Sequence, residues 1–232
     1  MEFKNVLERN MSQGRSAEEI LEMAMKMQQS MSVYESGIKE ICTKLEILQR
    51  EAQVKGIHNP IESIKSRVKN VFSVIEKLNR KGFDVSMDSV EKNLYDVAGV
   101  RVICPYIDDI YVVAERIRRQ DDLHVLVEKD YIKYPKPNGY RSFHMVVEVP
   151  IFLADSKRYV RVELQLRTIA MDFWASLEHQ LRYKKANRIT ATTDIELKAC
   201  AEVSANLDKR MQKIFNDLYK PNSGNENYWY GV

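Results

Sequence analysis

Cysteine is scarce in this 232-residue chain. There are three, Cys42, Cys104 and Cys200, widely spaced and odd in number. That excludes a disulfide framework and any CxxC pair, and reads as reduced core thiols of an intracellular protein. Glycine and proline are also few, eight and six, and no internal repeat or low-complexity segment appears. No run approaches the roughly 18–20 apolar residues that span a bilayer, and the opening MEFKNVLERN has no apolar signal core. A soluble, cytoplasmic protein with no membrane partner is therefore expected. An excess of one charge is missing as well: 36 Lys and Arg face 33 Asp and Glu. Nucleic-acid binding cannot be argued from net charge, so any basic site must come from local clustering.

What is present is an ordinary globular composition, 44% apolar and 30% charged, long enough to bury a sizeable core. The first third reads as helical. Ser16-Ala-Glu-Glu19 and Ser32-Val-Tyr-Glu35 each have the form of a capping box. Tyr34, Ile38, Ile41, Leu45 and Leu48 then keep one apolar helix face, until Gly56 and Asn59-Pro60 break it. From Ile61 strands and helices alternate. IESIKSRVK reads as a short strand and NVFSVIEKLNRKG as a helix ending at Gly82. A short helix over DSVEKNL precedes DVAGVR and the strand VRVIC. The helix IDDIYVVAERIRRQ, the strand LHVLVEKD, the loop YIKYPKPNGYR and the strand SFHMVVEVP follow. The strand RYVRVELQLRT alternates almost without error: Val160, Val162, Leu164 and Leu166 share one face, and Arg161, Glu163, Gln165 and Arg167 the other. Valine and leucine at every second position place it near the sheet centre. The helix IAMDFWASLEHQLRYKK comes next, then a last helix expected to start at the box Thr193-Asp-Ile-Glu196, with a stripe running from Leu197 to Leu218. The final residues, PNSGNENYWYGV, form a polar tail with three aromatics. The fold class is α+β: a central mixed sheet of about five strands flanked by helices, with helical extensions at both ends. The boundaries expected are a helical region over 1–58, a catalytic domain over 59–186, and a C-terminal helix and tail over 187–232.

Four stretches carry chemistry. Asp96 stands before a buried strand, Gly99 permits a turn or a close approach, and Arg101 lies opposite in face to Val100 and Val102. Lys65, Arg67, Lys69, Lys77, Arg80 and Lys81 make a local positive patch around Ser73; cations clustered where strand meets helix can hold a polyphosphate, and arginine can also stack on a base. In KYPKPNGYRSFH, prolines stiffen a basic loop, Asn138-Gly139 turns it, and Tyr140 is presented as a stacking platform. The polar face of the central strand adds Glu163. Two converging carboxylates, Asp96 and Glu163, can hold Mg²⁺ against substrate phosphates. Each stretch also has a bland reading: a structural ion pair, a solvated helix face, a packing tyrosine, a satisfied histidine at His144. Together they describe a floor for nucleotides.

The ordered set SRVK, DVAGVR, KYPKPNGYRSFH and VELQLRT resembles the synthetase domain of the RelA/SpoT homologue superfamily over about residues 60 to 185, and the chain's short length makes it similar to the small alarmone synthetases. The resemblance implies a nucleotidyltransferase-like fold and Mg²⁺-dependent transfer of pyrophosphate from ATP to the 3′-hydroxyl of GDP or GTP, giving ppGpp or pppGpp and AMP. It implies Asp96 as a metal ligand, and Glu163 as general base and second metal ligand. Arg67 and Arg101 would sandwich the adenine, and Lys69, Ser73 and Lys77 would bind ATP phosphates. Tyr140 would stack on guanine, with Asn138, His144, Gln165 and Arg167 on the acceptor side and Lys133 and Lys136 neutralising acceptor phosphates. It also implies a homo-oligomer, a tetramer in number. The terminal apolar stripes, with Met23, Met27 and Met31 as adaptable surface, supply the contacts.

Two departures stand out. Larger relatives carry Arg-x-Lys-Asp, or an acidic version, just before the guanine loop; here the residues are Val127-Glu128-Lys129-Asp130, which leaves the choice between GDP and GTP open. Those relatives also carry a His-Asp hydrolase domain. The four histidines here, His58, His124, His144 and His179, never precede an aspartate, so no hydrolase activity is expected. The competing reading from another class is a non-catalytic regulator that binds single-stranded RNA through the same basic patches, and which needs no convergence of Asp96 with Glu163.

Overall fold

The computed structural model describes residues 16–185 and 190–219. In chain order the elements are α1 (Ala17–Lys55), β1 (Ser63–Val68), α2 (Val71–Lys81), α3 (Met87–Asn93), β2 (Ala98–Cys104), α4 (Ile107–Arg118), β3 (His124–Asp130), β4 (Phe143–Phe152), β5 (Lys157–Thr168), α5 (Ile169–Lys185) and α6 (Ala191–Tyr219). The expected α+β class, a mixed five-stranded sheet flanked by helices, is the architecture observed. The strand order is β1-β2-β5-β4-β3, with β2 and β5 parallel and every other pair antiparallel. β5, the strand with near-perfect alternation, is the middle one.

Its apolar face and those of its neighbours make the core. Val100, Val102, Met145, Val147, Val162, Leu164 and Leu166 are buried in one cluster with Ile110, Val113 and Ile117 of α4 and with a stripe of α1. That stripe runs Ile20, Ala24, Met27, Met31, Tyr34, Ile38, Ile41 and Leu45, all buried. The 4-3 spacing read as a surface for other copies thus covers the chain's own sheet. The side chain of Met23 lies outside the described residues. Gly37 sits where α1 packs on β5: a Cβ there would stand 3.0 Å from Val160 Cγ1, so a mid-helix glycine is tolerated for packing despite its entropic cost.

The helix boundaries correct two capping boxes. The first box holds: Ser16 accepts from the Glu19 amide while Glu19 accepts from that of Ser16. The second does not, because Ser32 is interior to a continuous α1 and its carbonyl accepts from the Ser36 hydroxyl. At α6 the capping hydroxyl is that of Thr190, which accepts from the Thr193 amide, so the helix starts one turn earlier than the box at Thr193 indicates. Local pattern identifies a residue able to cap; burial of the preceding turn decides whether a helix end exists there.

α6 buries a face offset from the predicted stripe. Ala201, Ala205, Asp208 and Phe215 point inward, whereas Val203, Leu207, Met211, Ile214 and Leu218 are exposed. Together with Tyr106, Ile169 and Phe173 the first three line an open apolar depression of about 700 Å³. The aromatic tail after Lys220 lies outside the described residues. No helix among the described residues is long and apolar enough to cross a membrane.

Candidate active site

Strand register builds the site. One row of paired residues crosses all five strands as Lys65, Arg101, Gln165, His144 and Lys129; the next row is Arg67, Gly99, Glu163, Val146 and Val127. Paired neighbours share a sheet face, so charge that is scattered over a hundred residues of sequence falls on one surface opposite the core. Gly99 lies within β2 in extended backbone. It makes no turn, and with no side chain beside Glu163 it leaves the floor open.

Two cavities lie on this face. One, about 140 Å³, is lined by Lys65, Ser66, Arg67, Asp96, Gly99, Arg101, Glu163 and Gln165. The other, about 270 Å³, is lined by Lys77, Lys81, Asn93, Tyr95, Asp96, Lys129, Tyr131, Lys136, His144 and Glu163, among others. Only Asp96 and Glu163 line both. The two carboxylates read as metal ligand and base therefore stand at the junction of an arginine-lined and a lysine-lined hollow.

Asp96 receives Lys77 Nζ at 2.6 Å and Lys69 Nζ at 3.0 Å. Burial raises its carboxyl, but the hydrogen bonds and charge of the two lysines outweigh burial and hold it below the usual carboxylate range. Glu163 shows the same balance. Burial and the charge of Asp96 push it up; the hydrogen bonds of His144 and Gln165 prevail and lower it. Both acids are ionised at neutral pH.

Glu163 is held by a closed ring of side chains. Its Oε1 lies 3.2 Å from His144 Nδ1, and His144 Nε2 lies 2.8 Å from Tyr140 Oη. Tyr140 Oη accepts from Arg167 Nη2 at 2.8 Å; the same nitrogen donates to Gln165 Oε1 at 3.0 Å, and Gln165 Nε2 returns to Glu163 Oε2 at 3.0 Å. The Glu163 carboxylate can only accept, so Nδ1 carries the proton toward it, and in the neutral imidazole Nε2 then accepts from the Tyr140 hydroxyl. Lys136 Nζ stands 4.7 Å from the ring centres of both Tyr140 and Tyr131, a cation on the aromatic faces.

The predicted residues are not all brought together. Arg67, Arg101, Lys77, Lys136, His144 and Gln165 line the cavities, and Lys69, Tyr140 and Arg167 join through the bonds above. Ser73, Lys133 and Asn138 line neither. Lys133 turns back toward Asp130 and the Tyr111 ring. Asn138 caps the Tyr140 amide and donates to Glu178 of α5, supporting the loop. Glu128 faces Arg118 and makes two hydrogen bonds with it, whereas Lys129 faces the cavity. Tyr131, Asn93, Tyr95 and Asp172 were not singled out by the sequence. Alternation along LHVLVEKD places Lys129 opposite in face to Glu128; nothing local marks the others.

Among the described residues no group of three or more His, Cys, Asp or Glu could hold a metal on protein ligands alone. Mg²⁺ typically needs only one or two carboxylates when phosphates complete its shell, and Asp96 with Glu163 fits that donor set.

Residues 66–188 match the model of the region found in RelA / SpoT proteins. The chain belongs to that family. GTP pyrophosphokinase YwaC of Bacillus subtilis is 44% identical over 80% of this chain and 89% of its own length. GTP pyrophosphokinase YjbM of the same organism is 36% identical over 80% of this chain and 86% of its own. The crystal structure of small alarmone synthetase 1 from Bacillus subtilis, bound to its product pppGpp, superposes with a TM-score of 0.77 at 34% identity, covering 84% of this chain and 98% of that one. The match runs from within β1 through α5 and spans every lining residue of the two cavities except Lys65.

Proposed function

We propose that this RelA/SpoT-family protein synthesises ppGpp and pppGpp, transferring pyrophosphate from ATP to the 3′-hydroxyl of GDP or GTP and releasing AMP. The observation that carries the reading is the pair of cavities that meet at Asp96 and Glu163. Two substrates must approach one point, and a binding module would not need two ionised acids there. The arginine-lined cavity takes ATP, with Arg67 and Arg101 against the adenine and the phosphates reaching the junction, where Lys69 and Lys77 flank Asp96. The lysine-lined cavity takes the guanosine nucleotide: Tyr140 stacks on the base, and Lys129 and Lys136 offset the acceptor phosphates. Glu163 receives the 3′-hydroxyl proton as oxygen attacks the β-phosphorus; the bond from that phosphorus to the AMP oxygen breaks. Asp96, with Glu163, would hold Mg²⁺, which supplies charge neutralisation to the phosphates when bound. Joining two polyanions makes positioning and electrostatics the main contributions, and a placed base adds roughly 10²–10⁴-fold.

The test is to incubate the protein with ATP, Mg²⁺ and GDP or GTP and to separate the nucleotides. AMP together with a guanosine tetra- or pentaphosphate is expected, and unchanged guanosine nucleotides would overturn the reading. The product should persist, since the chain has no His-Asp ligand set for its hydrolysis. A cytoplasmic location goes with this reading of the substrates.

The assembly is a homotetramer joined through the exposed stripe of α6. Val203, Leu207, Met211, Ile214 and Leu218 are exposed along one face of α6, a run of large apolar side chains that suits a contact surface, and closed symmetry would cover it from each copy. Light scattering should give a tetramer for the full chain and a smaller species for Leu207→Asp; a monomeric full chain at micromolar concentration refutes this.

A further inference from the structure

Asp172 lies on the first turn of α5 and lines neither cavity. Its position follows from Thr168 at the end of β5, whose hydroxyl accepts from the Met171 amide and starts the helix. The Asp172 carboxylate faces back over the sheet. Oδ1 accepts from Arg101 Nη1 and from Arg167 Nη1, each at 3.0 Å, and Oδ2 lies 3.7 Å from Lys65 Nζ. Three cations share one acid. Among the described residues no other acid pairs with Arg101 or Arg167, and the Nε of each is buried without a hydrogen-bond partner.

The two guanidiniums belong to different halves of the site. Arg101 lines the cavity given to ATP. Arg167, 5% exposed, binds Tyr140 and Gln165 on the acceptor side and so closes the ring around Glu163. They repel each other: burial and the charge of Arg167 both lower the pKa of Arg101, while Asp172 opposes them. A buried and a half-buried cation that meet on one oxygen separate if that oxygen loses its charge, because the remaining desolvation and repulsion are uncompensated.

We infer that Asp172 is a positioning residue that holds Arg101 and Arg167 in one clamp and thereby couples ATP binding to acceptor binding. The inference rests on the substrate assignment above. It requires reciprocity, since a coupling between sites changes each affinity by the same factor. It also separates Asp172 from residues that serve one substrate: Arg101 touches the ATP side alone, and the Tyr140 ring the acceptor side alone.

The test is titration of the full chain with α,β-methylene ATP and with GDP, each alone and in the presence of the other, for wild type, Arg101→Ala, Asp172→Asn and the double variant. Wild type should bind each ligand more tightly when the other is present. Asp172→Asn should weaken both ligands by about 5–50-fold and bring the coupling factor near one; factors of this size are typical of coupling between sites. Arg101→Ala should weaken the ATP analogue alone, and adding Asp172→Asn to it should cost little more for that ligand. Asp172→Glu, which keeps the charge, should recover most of both affinities. Loss confined to the ATP side, or full additivity with Arg101→Ala, overturns the clamp. Should Asp172→Asn melt below the assay temperature, Arg101→Gln/Asp172→Asn relieves the crowding and carries the same test: GDP must bind more weakly than to Arg101→Gln alone, and equal binding overturns the inference. A wild-type chain that binds neither nucleotide overturns the substrate assignment and the clamp together, whereas wild-type binding with an unaffected Asp172→Asn overturns the clamp alone.

Discussion

Replacing Tyr140 with phenylalanine removes one oxygen and leaves the ring. That oxygen makes two hydrogen bonds of 2.8 Å, one to His144 Nε2 and one from Arg167 Nη2. A neutral bond of this kind is worth about 0.5–1.5 kcal/mol net, and one to a charged group about 1.5–3. Both lie in the ring that orients Glu163, and their loss frees His144 to rotate and leaves Arg167 on Gln165 and Asp172. If about 1.4–2.8 kcal/mol of that support acts in the transition state, the chemical step slows ~10–100-fold, within the roughly 10²–10⁴-fold that a base contributes. The stacking face is unchanged, so the KM for GDP or GTP should move less than about 3-fold, which is under 0.7 kcal/mol. Tyr140→Ala should show the same slowing and in addition a KM raised about 5–150-fold, since a stacked base is worth roughly 1–3 kcal/mol. Single-turnover kinetics, monitored as AMP release, isolate the chemical step from product release. A Tyr140→Phe variant with wild-type single-turnover rate would refute the ring as a positioning device; one whose KM rose as far as that of Tyr140→Ala would mean the loop, rather than the oxygen, had failed.

Glu163→Gln and Asp96→Asn should each nearly abolish synthesis with little change in melting temperature, because the amides keep volume and lose basicity or metal affinity; near wild-type turnover with a normal melting curve would show the role to be wrong. Gly139→Ala should raise the acceptor KM and leave ATP affinity alone, since Gly139 has φ +88° and an added Cβ would fall 2.6 Å from Ala201 Cβ of α6; parallel losses for both substrates would argue against it. Asp208, bonded by the Thr168 hydroxyl at 2.7 Å, is pushed up from 3.8 to about 6 by burial, against the pull of Thr168 and of the Arg141 charge. The folded chain then holds this proton more tightly than the unfolded one, so the group favours folding below about pH 4 and loses that contribution as pH rises to about 6. Asp208→Asn should therefore raise the melting temperature at pH 7.5 and lose that advantage toward pH 4; an advantage independent of pH would contradict the buried-proton account.

The class of the fold, the central place of β5 and many of the side chains that line the two cavities could be read from the pattern of residues, for a physical reason. A strand buried on one face must alternate, and an alternating strand cannot hide which residues face away from the core. Arg101, Glu163 and Gln165 were legible in this way, Asp96 from its place just before a buried strand, and Tyr140 on a loop that proline and Asn-Gly mark unmistakably. Sequence also identified which helix faces are apolar, but it could not say what would cover them. The α1 stripe met the chain's own sheet, while α6 turned Ala201, Ala205, Asp208 and Phe215 inward and left Val203, Leu207, Met211, Ile214 and Leu218 exposed. That difference is decided by where each helix crosses the sheet, a quantity with no local signature. The same holds inside the site. Lys133 sits in the basic loop yet turns away, because Asp130 and the Tyr111 ring offer it a nearer partner, and Tyr131 enters because the loop folds it against Tyr140. Asp172 acquires its partners only when α5 is laid across β2 and β5, bringing together Arg101 and Arg167 from strands that are parallel neighbours and far apart in the chain.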